Sequence, residues 1–254
     1  MSTIEMRHAK NGDVKMASSL RFNRVLLKLS GEALKGHRDF GYDAPAIRAV
    51  VAKIKNVLDR GAEVAIVVGA GNIWRGKMGG ADGMDHVNAD KMGMLATVMN
   101  AMALREFFTE AGIPVLIQCA IPMGSFVPAY DREQAIRALE SGQVVIFAGG
   151  TGNPFFTTDT AATLRALETD CDAVLKATKV DGVYSADPMK DPDAVRYSEL
   201  SFDEALEKHL AVMDAAAFSL CRENMLPVIV FDFSSPDTLE RVIAGDTDAG
   251  TVVS

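Results

Sequence analysis

The chain reads as a three-layer α/β/α sandwich built on a mainly parallel sheet, and three observations carry that reading. Residues 24–31, 63–68 and 144–148 are short, nearly continuous apolar runs, the pattern of strands covered on both faces. Segments with helical apolar spacing separate such runs almost throughout, so strands alternate with helices. Polar, glycine-bearing turns follow the runs near Lys28, Gly69 and Gly149, and open α/β sheets place ligands beyond the carboxyl ends of their strands.

Taken in order, residues 1–21 mix charges without an apolar stretch and read as a disordered tail. Residues 22–254 read as one domain. After the first strand, Asp43 with Pro45 opens a helix to about Leu58, with Ile47, Val50, Val51, Ile54 and Leu58 on one face. The second strand ends in a glycine-punctuated polar segment, which reads as mobile as far as about residue 88. A long helix follows at about 89–110, then a strand at 114–118, a helix at 131–140 and the strand at 144–148. Beyond it come a helix from about residue 158, a strand at 173–176, a turn at Asp181-Gly182 and helices at 201–210 and 214–223. A strand at 227–233, a helix at 236–243 and a strand at 251–253 complete the chain.

Composition bounds the function. A net charge of −8 argues against broad nucleic-acid binding, which needs a concentrated basic face. Cys119, Cys171 and Cys221 are odd in number and widely spaced, which points to no disulfide framework or zinc site and fits a reduced cytoplasm. No run is long enough to cross a membrane as a helix.

Residues 149–159 hold the densest chemistry. A glycine-rich bend between a strand end and a helix N-terminus aims backbone N–H groups at an anion. Thr151, Asn153, Thr157 and Thr158 add polar side chains, Phe155 and Phe156 an apolar wall, and Thr157, Thr158 or Asp159 the N-cap. That mixture suits a phosphate joined to a flat ring. Lys28, with Leu29, Ser30 and Gly31 after it, places a cation at a strand end, although alone it also fits a snorkelling lysine. The stretch from Gly69 fails as a dinucleotide fingerprint, because Trp74 replaces the third glycine. It fails as a Walker A loop too, because Met78 replaces the Ser or Thr. What survives is a glycine turn with Arg75 available to clamp a phosphate. Met92, Leu95, Val98, Met99 and Met102 form a stripe that fits either core or a subunit contact. An adenine could lie on Tyr184 with Asp187 at its ribose, although a plain hairpin explains the same residues.

Several stretches together resemble the bacterial-type UMP kinases of the amino acid kinase family. They are residues 26–34, 68–72 with Arg75 and Gly76, 92–100, 150–159, 175–183 and 212–214. The resemblance covers the chain from about residue 24 onward and implies an amino acid kinase-like fold. It also implies an acceptor-binding N-terminal part, an ATP-binding C-terminal part, and transfer of a phosphoryl group from ATP to UMP with Mg²⁺. By the same resemblance Lys28, Leu29, Ser30, Gly31, Gly71 and Arg75 would hold ATP phosphates, and Thr178, Tyr184 and Asp187 its nucleoside. Ala70, Asp90 and the run Thr151, Gly152, Asn153, Pro154, Phe155, Phe156, Thr157 and Thr158 would contact UMP. The family carries glycine where Ala70 stands, and a methyl group there crowds a backbone–phosphate approach. The metal would be held through ATP phosphates and water rather than by protein ligands. Homohexamers, GTP activation and UTP inhibition are further implications, with Gly36, His37, Arg38, Asp39, Phe40 and Gly41 matching the loop linked to GTP.

Such a reaction needs no base, because a phosphate monoester with a second pKa of ~6 is already mostly a dianion at neutral pH. Lys28, Arg75 and Asp159 would be the catalytic groups, the carboxylate orienting a lysine or the hydrated metal. Homologues acting on acetylglutamate or carbamate are the nearest rivals, and a non-catalytic nucleotide-binding protein is another. Replacing Lys28 with Ala is expected to lower kcat by about 10²- to 10³-fold in a folded protein. Near-normal turnover would leave Lys28 as a strand-end lysine and nothing more.

Overall fold

The computed structural model describes residues 20–74, 83–186, 188, 190, 191, 193–210 and 212–254. Among them, strand β1 (Arg24–Leu29) leads through a 3₁₀ turn (Gly31–Leu34) to helix α1 (Ala44–Leu58) and strand β2 (Glu63–Val68). Helix α2 (His86–Glu110), β3 (Val115–Cys119), α3 (Arg132–Glu140), β4 (Val144–Ala148), α4 (Thr158–Glu168) and β5 (Ala173–Thr178) follow. The chain finishes with β6 (Glu199–Leu200), α5 (Phe202–Glu207), α6 (Ala215–Glu223), β7 (Val228–Asp232), α7 (Thr238–Ala244) and β8 (Thr251–Val253).

These strands form one sheet in the order β3-β4-β2-β1-β5-β7-β8-β6. Every pairing is parallel except β7 with β8. Successive strand side chains point to opposite faces, and two cores result. Val25, Leu27 and Leu29 of β1 join Ile66, Ile146 and Leu175 beneath α1, α2 and α7. Leu26, Val67, Phe147 and Val174 pack on the other face against α3, α4, α5 and α6. The three layers expected from the sequence are therefore present, and the parallel pairing brings the carboxyl ends of β4, β2, β1 and β5 side by side at one edge.

Several boundaries differ from the sequence reading for local reasons. β1 stops at Leu29 because the Ser30 side chain accepts from the Glu32 N–H at 3.3 Å and turns the chain. α1 buries Val57 more fully than Leu58, both of which lie within one turn of Ile54. α2 starts at His86 rather than near 89, because Asp85 accepts the Asn88 N–H at 3.1 Å and caps it. Strand β5 runs on to Thr178. The two-residue β6 was not foreseen; it is too short to show a pattern. Residues 1–19, most of the expected tail, lie outside the described residues, but Arg21 and Phe22 already donate backbone N–H groups to the Ile243 carbonyl, at 3.0 and 3.2 Å.

Gly31 marks the tightest approach at the sheet edge. A Cβ there would lie 2.4 Å from the Gly69 carbonyl oxygen, 2.5 Å from Asn72 Oδ1 and 2.9 Å from the Gly71 nitrogen. Only a residue without a side chain lets the turns after β1 and β2 touch. Gly31→Ala should therefore cost about 2 kcal/mol of stability as overpacking, visible as a lower thermal midpoint. An unchanged midpoint would mean that the two turns can separate freely.

Candidate active site

The site begins with two lysines. Lys28 on β1 and Lys176 on β5 are direct register partners in adjacent parallel strands, so they stand side by side. Between them sits Asp159, in the first turn of α4. Lys28 Nζ lies 2.9 Å from Oδ1 and Lys176 Nζ 2.8 Å from Oδ2. The Lys176 contact is a well-formed hydrogen bond. Lys28 approaches Oδ1 off the hydrogen-bonding direction, so that contact is mainly coulombic. Lys176 also donates to the Val212 carbonyl at 2.6 Å. The Asp159 side chain is only 13% exposed. Burial alone would raise its pKa, but the two ammonium groups outweigh burial and hold it below the ordinary carboxylate value.

On one side of α4 lies a cleft of about 550 Å³. Of the residues assigned to the acceptor, Ala70, Asp90, Thr151, Asn153, Phe155, Phe156, Thr157 and Thr158 line it, joined by Gly150, Thr97, Met94 and Trp74. Gly152 and Pro154 belong to the same loop but do not line the cleft. Gly149 anchors that loop. Its φ is 78°, its N–H donates to Thr97 Oγ1 at 2.9 Å, and a Cβ would lie 2.8 Å from Cys119 Sγ. Phe155 adopts a φ of 70°, costly for a bulky residue at about 1–3 kcal/mol. Asp90 Oδ2 accepts the Phe155 N–H at 2.8 Å and lies 3.2 Å from His86 Nδ1. Asp90 therefore does not cap α2, since Asp85 does; its carboxylate reaches across to the loop after β4. Of the three cap candidates, Thr157 fills the role, accepting the Asp159 N–H at 3.0 Å.

A second cavity, of about 720 Å³, lies beside the ends of β1 and β5 and against α1. Lys28, Leu29, Ser30 and Thr178 line it, as assigned, together with Lys176, Lys179 and Glu32. Gly31 and Gly71 stand just behind, at the touching turns. Tyr184 is not part of this wall; its hydroxyl donates to Asp181 at 2.7 Å. Arg75, the mobile-segment reading around it, and Asp187 lie outside the described residues. From the 36–41 loop, His37 lines the cavity, Arg38 pairs with Asp43 at 3.5 Å, Lys35 donates to the Asp39 carbonyl, and Phe40 is exposed. Gly36 and Gly41 both have positive φ, and the Gly41 N–H donates to the Asn72 carbonyl at 2.7 Å.

Four contributors escaped the sequence reading. Lys176 had a legible signal, a lone cation in an apolar strand that mirrors Lys28. Asp214, the cap of α6, accepts hydrogen bonds from Thr157 at 2.5 Å and Thr160 at 3.0 Å, tying α4 to α6. Buried Asn72 and Asn100 exchange amide hydrogen bonds of 3.0 and 2.7 Å. Asn100 also donates to the Gly69 carbonyl and Asn72 to the Gly41 carbonyl. No sequence spacing announces that pair. The cysteines are buried, with thiols pushed up by burial, Cys171 to about 12 and Cys221 to about 11, so neither is a nucleophile at neutral pH.

Fold and site together define a phosphoryl-transfer class of α/β protein, with a helix N-terminus and clustered lysines between two cavities. Comparison agrees: the profile of the amino acid kinase family matches residues 23–232, and the chain belongs to that family. Among solved structures, the UMP kinase of Bacillus anthracis superimposes with a TM-score of 0.88 at 37% identity, over 91% of this chain and 96% of that one. The UMP kinase of Ureaplasma parvum gives 0.86 at 36% identity, over 92% and 100%. The uridylate kinase of Archaeoglobus fulgidus gives 0.69 at 30%, over 91% and 99%.

The lysine–aspartate cluster makes a pH prediction. Because the folded pKa of Asp159 is depressed, its stabilisation is fully present at neutral pH. It begins to fade near the unfolded value of about 3.8 and is lost as pH falls through the folded value. Asp159→Asn should cost about 3 kcal/mol at pH 7, since it leaves two buried cations without their anion. The acid limb of its unfolding curve should also be shallower. Equal stability of the two proteins at pH 7 would refute this account.

Proposed function

We propose that the chain is a UMP kinase, transferring the γ-phosphoryl group of ATP to UMP to give ADP and UDP. The observation that carries this reading is the position of α4. Thr158 faces the acceptor cleft, and the next residue, Asp159, gathers the two lysines that border the other cavity. The N-terminal end of that helix thus borders one cavity, and the two ammonium groups paired with it border the other.

The acceptor would lie in the smaller cleft, its base against Phe155, Phe156 and the polar loop, and its ribose hydroxyls donating to Asp90. ATP would place its phosphates at Lys28, Ser30, Gly31 and Gly71, with its nucleoside toward Thr178, Tyr184 and Asp187. The oxygen of the UMP dianion attacks the γ-phosphorus, the bond to the β,γ-bridging oxygen breaks, and that oxygen leaves as ADP. No proton has to be removed, so the protein's task is to bring two anions together and stabilise spreading charge. Lys28, Lys176 and the α4 N-terminus supply that potential, with Arg75 as a further clamp. Asp159 aims the lysines rather than acting as a base.

Mg²⁺ fits as a companion of the nucleotide. Among the described residues no cluster of three or more His, Cys, Asp or Glu side chains could hold a metal, and Asp159 is already engaged by lysines. Bound to ATP phosphates and water, it would neutralise charge. An acceptor-binding N-terminal part and an ATP-binding C-terminal part then make up one domain, with Lys28 and the loop after β4 crossing between them. The exposed Met92, Leu95 and Met99 on α2 fit a subunit contact, in keeping with a homohexamer. His37 in the larger cavity fits a nucleotide-responsive loop, with GTP as activator and UTP as inhibitor. Buried free thiols suit a cytoplasmic enzyme of pyrimidine nucleotide synthesis.

A coupled assay of ADP release over UMP, CMP, dTMP, acetylglutamate and carbamate should give the highest kcat/KM with UMP; faster turnover of either acid would reverse the assignment. Asp90→Asn keeps an acceptor for the Phe155 N–H but loses the charge. It should raise KM for UMP about 10- to 100-fold, with KM for ATP and the melting temperature nearly unchanged. A rise confined to KM for ATP would remove Asp90 from the acceptor half.

A further inference from the structure

Among the described residues lining the acceptor cleft, Asp90 and His86 are the only ionisable side chains, and His86 has no role in the account above. It opens α2 one turn before Asp90, so the two side chains share a face. Its Nδ1 lies 3.2 Å from Asp90 Oδ2, and its ring lies over that of Phe155 with centroids 5.0 Å apart and planes 10° from parallel. The same Oδ2 accepts the Phe155 N–H. Three residues from two distant segments thus close a triangle of imidazole to carboxylate, carboxylate to backbone and backbone's ring to imidazole.

The triangle does local work. Phe155 sits at positive φ, which a bulky residue keeps only when its surroundings hold it. Asp90 anchors its backbone and His86 its ring. The Phe155 N–H donates to Oδ2, His86 Nδ1 lies against the same oxygen, and no donor reaches Oδ1 among the described residues, so Oδ1 is the oxygen left for a ligand. The contact from His86 restrains the carboxylate against rotation. The imidazole is otherwise dispensable to the fold: it is 66% exposed, and the cap of α2 comes from Asp85.

We propose that His86 is the positioning residue of the acceptor half of the site, fixing Asp90 and Phe155 together and so setting the affinity for a ribonucleoside monophosphate. This rests on the acceptor reading proposed above. The residue touches no reacting atom, so its influence falls on binding and on recognition of the ribose hydroxyls, not on the transfer step.

The test uses the full chain. Trp74, the single tryptophan, lines the same cleft, so its fluorescence reports UMP binding independently of turnover. His86→Ala should raise Kd and KM for UMP about tenfold, the scale of one charge-assisted bond. It should narrow the preference for UMP over dUMP and leave kcat, KM for ATP and the melting temperature near those of the unaltered chain. His86→Asn, which keeps an N–H donor in place of Nδ1, should recover most of the UMP affinity, whereas His86→Phe, which keeps only the stack, should recover little. Unchanged UMP affinity in His86→Ala overturns the proposal, as does a fall in kcat with KM unmoved. If the unaltered chain binds UMP without phosphorylating it, the kinase reading fails alone, and the fluorescence titration still decides the role of His86. If the unaltered chain does not bind UMP, both readings fall.

Discussion

Two lysines held side by side at the edge of a parallel sheet are the constraint on which the remainder of the site depends. Neighbouring strands lie about 4.8 Å apart, and two ammonium groups at that separation repel by about 3 kcal/mol at an effective dielectric of about 20. Lys28 and Lys176 are register partners, so the sheet that binds their backbones forces the charges together. Asp159 resolves the conflict from above, and it can do so only because α4 begins at that point of the edge. The helix needs its cap at Thr157, Thr157 needs Asp214, and Asp214 starts α6. A chain of local requirements thus ends in one carboxylate between two cations.

The same placement divides labour between the cavities. The smaller cleft is walled by α2 and the loop after β4, and it offers aromatic faces, hydroxyls and one carboxylate. The larger cavity lies at the ends of β1 and β5 against α1, and it offers lysines beside an apolar wall. One is suited to a base and a sugar, the other to polyphosphate. Asp159 links the two, since Thr158 beside it lines the smaller cleft and the lysines it pairs with line the larger cavity.

Much of this was legible in the sequence wherever the signal was local. Continuous apolar runs and the helix start at Asp43 located most elements to within a few residues, and the glycines at 31, 69 and 149 marked the edge at which the site lies. Lys28 and Asp159 stood out as charges beside apolar runs. What remained hidden depended on register and on contacts across the fold. The pairing of Lys28 with Lys176 follows from β1 lying next to β5, which no window of sequence encodes. The helix start was placed three residues late, so the reach of Asp90 across to the Phe155 N–H was not visible. His86, one of four histidines in the chain, gains its neighbour Phe155 only through the fold.

The Asn72–Asn100 pair carries a different implication. Each amide gives a proton to the carbonyl of the other, and each spends its second on a backbone carbonyl, of Gly41 or Gly69. An aspartate at either position would set two acceptors face to face; an alanine would strand its partner in a buried site. For the chain's tolerance of change, then, two positions far apart in sequence behave as a single letter, and the turn after β2, the long helix and the 36–41 loop inherit one shared spelling.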